Sequence, residues 1–282
     1  MSASSFIKVQ LETYVNSRTL SFTLTALVVI FLGAFTPAPA RSQHAVSPEK
    51  KWNFQVVPYF VVAGLNGTVS VKGNEANVDA GFSDIKDHID KGFMAAVEAR
   101  HGRYFLFLDI QYVKFFDTRT GSLTGPYGTI LVEGIVDATP TQQLYQPSLG
   151  YRVVDDRVKV DAIAGARYTH INGQLDLKIT TSLANFPGAG QSVSDSVGWW
   201  DAVIGSRATI SIARKWTLMG YGDIGGGGSA ITYQGLVLAK WQFRPKLSAS
   251  GGYRYIHQDY SDDSFKWKMS TKGIMVGLGF NF

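Results

Sequence analysis

The chain has 282 residues, of which 45% are hydrophobic, 13% aromatic and 17% charged, with 30 glycines, no cysteine and a formal net charge of +5. Low charge with abundant aromatics excludes a disordered tail. The missing cysteines exclude a disulfide scaffold, a thiolate zinc site and a cysteine nucleophile. Mean hydropathy is +0.01, which leaves a β-rich soluble domain and a barrel of alternating strands as the two readings.

Residues 1–40 have the form of a cleaved export signal. Lys8 and Arg18 precede an uncharged apolar run from Leu20 to Phe35, and Ala38-Pro39-Ala40 supplies a small-x-small cleavage pattern. The run has 16 residues, short of the roughly 20 a spanning helix needs. Removal of this piece, with Lys8, Arg18 and Glu12, leaves 25 basic and 21 acidic residues spread along the chain. That mild excess does not point to nucleic acid. Residues 41–51 are expected to form a short periplasmic lead-in, and 52–282 the folded domain.

From residue 52 onward the chain reads as hairpins. Period-2 alternation predicts strands over 52–63, 92–101, 104–117, 142–153, 158–176, 196–212, 216–225, 231–243, 247–260 and 265–282. Short turns containing a basic residue lie at His101-Gly102-Arg103, Asp155-Asp156-Arg157, Ala213-Arg214-Lys215 and Arg244-Pro245-Lys246. The opposite connections are longer, near 64–91, 118–141, 177–195, 225–230 and 261–264. Short turns at one end and long loops at the other are the asymmetry of a transmembrane β-barrel. The expected fold is therefore an all-β, antiparallel up-and-down barrel of about ten strands, with eight or twelve as the alternatives. One short helical insert falls in the first long loop, and 68–79 is a candidate extra hairpin above the membrane.

Aromatics concentrate at both ends of the strands, as expected of rings with an apolar body and a polar edge. Trp52, Phe54, Tyr104, Tyr151, Trp216, Trp241 and Phe243 lie near the short turns. Phe115, Tyr168, Trp199, Trp200, Tyr233, Tyr255 and Trp267 lie toward the loops. Pro58 and Pro147 remove ladder donors inside strands and are expected to mark bulges. A third bulge is expected near Lys272–Gly273, where apolar parity passes from Trp267 and Met269 to Ile274 and Val276.

The last strand ends in Phe280-Asn281-Phe282 and resembles the terminal strand of bacterial outer-membrane proteins, which implies recognition of Phe280 and Phe282 by the barrel assembly machinery. Trp52-Asn53-Phe54, Pro58-Tyr59, Gly64 and Gly67 resemble the first strand of a proteobacterial outer-membrane barrel family. So do Phe82-Ser83-Asp84-Ile85, Glu98-Ala99-Arg100 and Gly102-Arg103. Ala164-Gly165-Ala166-Arg167-Tyr168, Gly222-Asp223-Ile224-Gly225-Gly226 and Gly251-Gly252-Tyr253-Arg254-Tyr255 match its later strands. The resemblance spans nearly all of 52–282 and implies a small barrel of the OmpA/OmpW-type superfamily, with no assigned reaction. Phe60-Val61 and His101 depart from its common pattern without touching the fold.

Candidate chemistry lies on the polar faces. The acids Glu98, Asp109, Asp161, Asp201 and Asp223 and the bases Arg100, Arg167, Arg207, Lys240 and Arg254 balance as a lumen charge network. Such a network either selects small solutes in a constriction or fills a narrow interior with ion pairs. Gly220-Tyr221-Gly222-Asp223-Ile224-Gly225 spells G-x-G-x-x-G, but a dinucleotide site needs a helix to follow, and a strand-like run follows here. In the insert, Asp84, Asp87, His88 and Asp90 match no ligand spacing, and the expectation is a turn capped by Ser83 with Ile85 and Ile89 on one face. His170 and His257, with Asp259, Ser261, Asp262 and Asp263, are the residues a rim hydrolase would use, although no G-x-S-x-G is present. Lys178, Lys266, Lys268 and Lys272, near the loop side, either meet lipopolysaccharide phosphates or are ordinary solvated charge.

These observations point to an exported, non-catalytic outer-membrane barrel with no metal or cofactor. Its expected role is in envelope structure or in passage or binding of small solutes, with outer-membrane lipids and lipopolysaccharide as surroundings. An outer-membrane hydrolase acting on lipid A or peptides, and a soluble secreted binding barrel, are the alternatives.

Overall fold

The computed structural model describes residues 51–71, 74–124, 131–181 and 189–282. The expected export signal, 1–40, and most of the expected lead-in, 41–51, lie outside these residues. Thirteen strands follow in order: β1 (Trp52–Val71), β2 (Asn74–Ala80), β3 (Ile89–His101), β4 (Tyr104–Phe115), β5 (Asp117–Thr124), β6 (Leu131–Ala138), β7 (Thr141–Asp155), β8 (Val158–Thr181), β9 (Ala189–Ala213), β10 (Trp216–Gly227), β11 (Ile231–Arg244), β12 (Leu247–Ser261) and β13 (Phe265–Asn281). One helical turn, α1 (Phe82–Ile85), continues into a 3-10 turn over Lys86–His88.

Ten strands close the ring β1-β3-β4-β7-β8-β9-β10-β11-β12-β13, with β13 pairing back to β1, all antiparallel. Closure removes the unpaired edges an open sheet would leave. The ten predicted strands are these ten. β2 extends β1 as the hairpin expected beyond the membrane. The connections expected as loops over 118–141 and 177–195 are largely strand instead: β5 pairs β6, β6 pairs the far end of β8, and β8 runs on against β9 to Ile179 and Ala189. Thr120, Val132, Ile135, Val136 and Ile179 are β-branched residues suited to this, but the polar residues between them blur the alternation.

Neither proline shifts the register. Val56 faces Phe280 and Tyr59 faces Gly277 on either side of Pro58 with the same offset, and Tyr145–Tyr168 and Ser148–Gly165 do so around Pro147. Each proline interrupts the ladder without adding a residue. The expected bulge at Lys272–Gly273 is also absent, since β13 keeps one register against both neighbours. Trp267, Met269, Gly273 and Met275 all turn inward, while Lys268, Lys272, Ile274, Val276 and Leu278 form one outward row. That row changes from lysine to aliphatic between Lys272 and Ile274, so the parity change is the upper edge of an apolar belt. Register shifts occur instead near the turn ends of β7, β9–β10 and β11, and at the loop end of β3.

The belt consists of outward side chains such as Leu106, Leu149, Ile204 and Val237, each more than half exposed. Ring pairs border it on both sides. Tyr104–Tyr151 (4.9 Å) and Trp216–Trp241 (6.1 Å) lie at the turn end, and Tyr168–Trp200 (4.8 Å) and Tyr233–Tyr255 (5.9 Å) at the loop end. On β11 the two girdles are marked by Trp241 and Tyr233; eight strand residues of about 3.4 Å each, tilted by about 40°, give a belt roughly 20 Å tall. Trp199 and Trp267, expected in the loop-end girdle, point inward and are 4% and 9% exposed.

Candidate functional site: two charge networks across the lumen

The inward residues of the strands meet across the lumen at mid-height. Arg254 on β12 forms an ion pair with Asp109 on β4, donates to the Tyr59 hydroxyl (2.7 Å), and places two donors on Gln234 Oε1 (3.0 and 2.6 Å). Tyr59 in turn donates to Asp109 (2.6 Å). Gln234 Nε2 continues to Asp223 (3.2 Å), and Arg167 reaches both Asp223 oxygens (2.7 and 2.8 Å) as well as Gln146 Oε1 (2.8 Å). Gln146 Nε2 and the Tyr221 hydroxyl complete the Asp223 shell. Seven of the ten ring strands thus contribute to one hydrogen-bonded layer with two cations and two anions. Arg167, Gln146, Asp223 and Arg254 are nearly or fully buried, and burial of this kind is tolerable only when charges are paired and their donors used.

A second network lies toward the short turns. Asp161, 1% exposed, accepts from Arg100 (3.2 Å), Arg152 (2.8 Å) and Arg207 (2.8 Å). Glu98 bridges Arg100 (3.0 Å) and Arg207 (2.6 Å), the latter across the barrel from β3 to β9. Both guanidiniums lie over the Phe105 ring, at 4.3 and 4.6 Å from its centre, an arrangement favoured by the ring quadrupole. Below them a chamber of about 380 Å³ is lined by Arg100, Arg152, Arg157, Lys159, Arg207 and Lys240 against Glu98. Its cationic excess favours anions at that mouth.

Eight of the ten residues predicted as a lumen charge network therefore meet in these two clusters. Asp201 and Lys240 point inward but join neither. Asp201 accepts the Ser229 backbone N–H (2.7 Å) and holds the β10–β11 connection. Sequence reasoning missed Arg152, which lies in the predicted strand 142–153 and shares the inward parity of Gln146, Ser148 and Gly150. It also missed the neutral members Tyr59, Gln146, Tyr221 and Gln234, which carry the hydrogen bonds between ion pairs and have no charge to draw attention.

Above this layer part of the inward face becomes apolar. Ile171, Trp199, Trp267 and Met269 form a buried cluster, with Leu65, Val69 and Val78 against it. A cavity of about 90 Å³ lies between this cluster and Arg254, lined among others by Ile89, Met94, Leu144 and Ile256. The indole N–H groups of Trp199 and Trp267 are buried without an acceptor among the described residues.

Most of the remaining candidates have ordinary partners, while His170 Nδ1 is buried without one among the described residues. In the insert, Asp84 accepts the Gly81 N–H (2.9 Å), so the turn is capped by Asp84 and Gly81 rather than by Ser83. Asp87 pairs with Lys86 (3.0 Å), and Asp90 with Lys114 (3.6 Å). The G-x-G-x-x-G run lies within β10. His170 and His257 face outward, His170 against Tyr168 and His257 against Tyr233. His257 Nδ1 lies 2.8 Å from Ser270 Oγ, and Asp259 pairs with Lys268 at 3.0 Å. Phe280 and Phe282 point outward at the turn end, where Phe282 closes onto Phe54 through backbone hydrogen bonds.

No protein-family model matches the chain, and no curated protein matches it in sequence. Solved structures do. The outer membrane protease OmpT from Escherichia coli is similar at 9% identity over 85% of this chain and 99% of that one, with a TM-score of 0.51. The translocator domain of the autotransporter NalP from Neisseria meningitidis is similar at 11% identity over 95% and 98%, with a TM-score of 0.38. Ail, the attachment invasion locus protein of Yersinia pestis, is similar at 14% identity over 82% and 98%, with a TM-score of 0.29. The chain has the fold of an outer-membrane β-barrel.

Proposed function

We propose that this chain is an integral outer-membrane barrel without catalytic activity, which holds small solutes in its loop-end chamber and is not an open pore. The carrying observation is the layer built from Tyr59, Asp109, Gln146, Arg167, Tyr221, Asp223, Gln234 and Arg254, which spans the lumen with its charges paired. The outward apolar belt between two aromatic girdles supports a place in the bilayer and argues against the soluble secreted alternative, because so large an exposed apolar surface drives association in water. Planar-bilayer recording tests the reading. The refolded protein should give no resolvable unitary current in potassium chloride, and the Asp109→Ala/Arg254→Ala/Arg167→Ala/Asp223→Ala variant should give one. A steady unitary current from the unsubstituted protein would overturn it.

One observation favours a second reading. Ser270 and His257 stand within hydrogen-bond distance above the belt, near Asp259, the residue types of a rim hydrolase. The neighbouring backbone N–H groups of β12 and β13 are committed to ladder pairing, which leaves an oxyanion without its usual donors. Loss of lipid A or peptide turnover in Ser270→Ala and His257→Ala would favour this reading over the first.

A further inference from the structure

Strand pairing leaves a gap in the barrel wall. β1 pairs β3 only from Trp52–His101 to Pro58–Ala95, and pairs β2 only from Leu65–Ala80 onward. Positions 59–64 of β1 are thus paired on the β13 side alone, and positions 89–94 of β3 on the β4 side alone. Pro58, with no N–H to give, stands where the ladder stops. At about 3.3 Å per residue the unpaired stretch is roughly 20 Å long. The segment carrying α1 lies against it, with Phe82 edge-on to Phe60 at 6.4 Å and Phe82 and Ile85 half-buried while Ser83 and Asp84 face out.

The loop-end cavity reaches this gap. Its lining includes Phe60, which is 42% exposed on the outward belt, together with Arg254 and Ile256 on the inward face of β12. Residues of both the outward and the inward rows beside the unpaired stretch thus border one cavity. Its level is also set. Phe60 and Val62 lie beside Val276 and Ile274, and Gly64 lies beside Lys272, so the gap runs from the upper margin of the apolar belt down to the level of Val276. Passage straight down is closed by the Arg254 layer.

We propose that this gap is a lateral portal through which a neutral, mostly apolar small molecule with an acceptor oxygen exchanges between the outer leaflet and the chamber. The proposal rests on the sealed-lumen reading. The walls are mostly apolar, their neutral polar members include Gln111, Gln142, Gln258 and Thr271, and the charge of Arg254 is already matched by Asp109, which disfavours a charged ligand. The acceptor oxygen answers the buried, unpartnered indole N–H of Trp267, which is 9% exposed and belongs to the cavity wall. At about 10–15 Å³ per water, a free volume of this size holds several waters, or the ring of a small ketone.

Benzophenone in vesicles carrying the protein is a suitable probe, because it is neutral, has one carbonyl acceptor and photo-attaches on irradiation. Attachment is expected at Met94 and Met269 of the cavity. Gly92 borders the cavity and a Cβ there meets nothing closer than 3.9 Å, so Gly92→Phe fills the cavity without breaking the strand and should lower attachment about tenfold. Attachment confined to belt residues such as Leu106, or unaffected by Gly92→Phe, would overturn the chamber as a binding site and the portal with it. The route is tested separately. The chain has no cysteine, so Phe60→Cys/Phe82→Cys joined by a short reducible bis-thiosulfonate fixes α1 over the gap. Slower attachment from the bilayer, restored by reductant, is the expected result. An unchanged rate in the joined variant, with Gly92→Phe still protective, would sink the portal and leave the chamber standing.

Discussion

Replacing Arg254 by methionine isolates what the mid-lumen layer contributes. The change keeps an unbranched stem of similar length and removes one buried guanidinium with its contacts to Asp109, Tyr59 and Gln234. Asp109, 4% exposed, then retains only neutral donors, Tyr59 at 2.6 Å and Gln111 at 3.3 Å, and Gln234 Oε1 loses both of its donors. Leaving one member of a buried pair uncompensated costs about 3–5 kcal/mol. Removing both members and filling the space with apolar groups is far cheaper, so Arg254→Met/Asp109→Leu should recover about 2–3 kcal/mol of that loss, a coupling expected of groups in one network. Equilibrium urea unfolding in vesicles, followed by the fluorescence of the six tryptophans, measures Arg254→Met, Asp109→Leu and the double variant. Additive single-residue effects, or a cost below about 1 kcal/mol for Arg254→Met, would show that water reaches the layer. The lumen would then not be sealed at this height.

Three further outcomes follow from the same geometry. Leu108→Arg on the outward face of β4 should destabilise the barrel by about 2–4 kcal/mol at mid-belt depth; vesicle unfolding that matches the unsubstituted protein would reverse the facing assigned to β4. Gly150 lies under Phe105, and a Cβ there would overlap the ring, so Gly150→Ala should cost about 1–3 kcal/mol while Gly220→Ala, in open space, changes the melting temperature little. Asp262 in the β12–β13 connection is held below the ordinary carboxylate range by the backbone N–H groups of Ser264 and Phe265 and by the Tyr260 hydroxyl. A depressed folded-state pKa means that this turn is fully stabilised above the ordinary carboxylate value and loosens as pH falls through the lowered one. The Phe265 amide resonance should titrate below that ordinary value and stop titrating in Asp262→Asn.

Strand positions were legible because a half-buried strand writes its facing into every second residue. Leu106, Leu108 and Ile110 alternate against Phe107, Asp109 and Gln111, and the structure turns the first set out and the second in. The pairing of specific charges was not legible. Arg207 and Glu98 lie on strands separated by three others around the ring, a relation fixed by closure and shear rather than by spacing along the chain. The neutral bridging residues were hidden for a different reason: Gln146 and Tyr59 matter through the donors they place between two charges, and nothing in their own neighbourhood marks that.

The misplaced bulge on β13 shows how one sequence signal carries two meanings. A reversal of apolar parity can arise from an inserted residue or from a change in what lies outside the strand. Unbroken register against β1 and β12 selects the second. Below Lys272 the outward row faces an apolar surrounding and must be aliphatic; above it the outward row is lysine and the inward row, Trp267 and Met269, packs the loop-end cluster. The same boundary crosses β1 at Gly64, at the top of its unpaired stretch. In a bilayer, unpaired backbone groups are costly because no water answers them. The gap starts at the upper margin of the belt and runs down beside Ile274 and Val276 to Phe60, and the half-buried α1 segment covers it. Position along the barrel axis is thus what allows an opening in the wall and decides what kind of molecule reaches it.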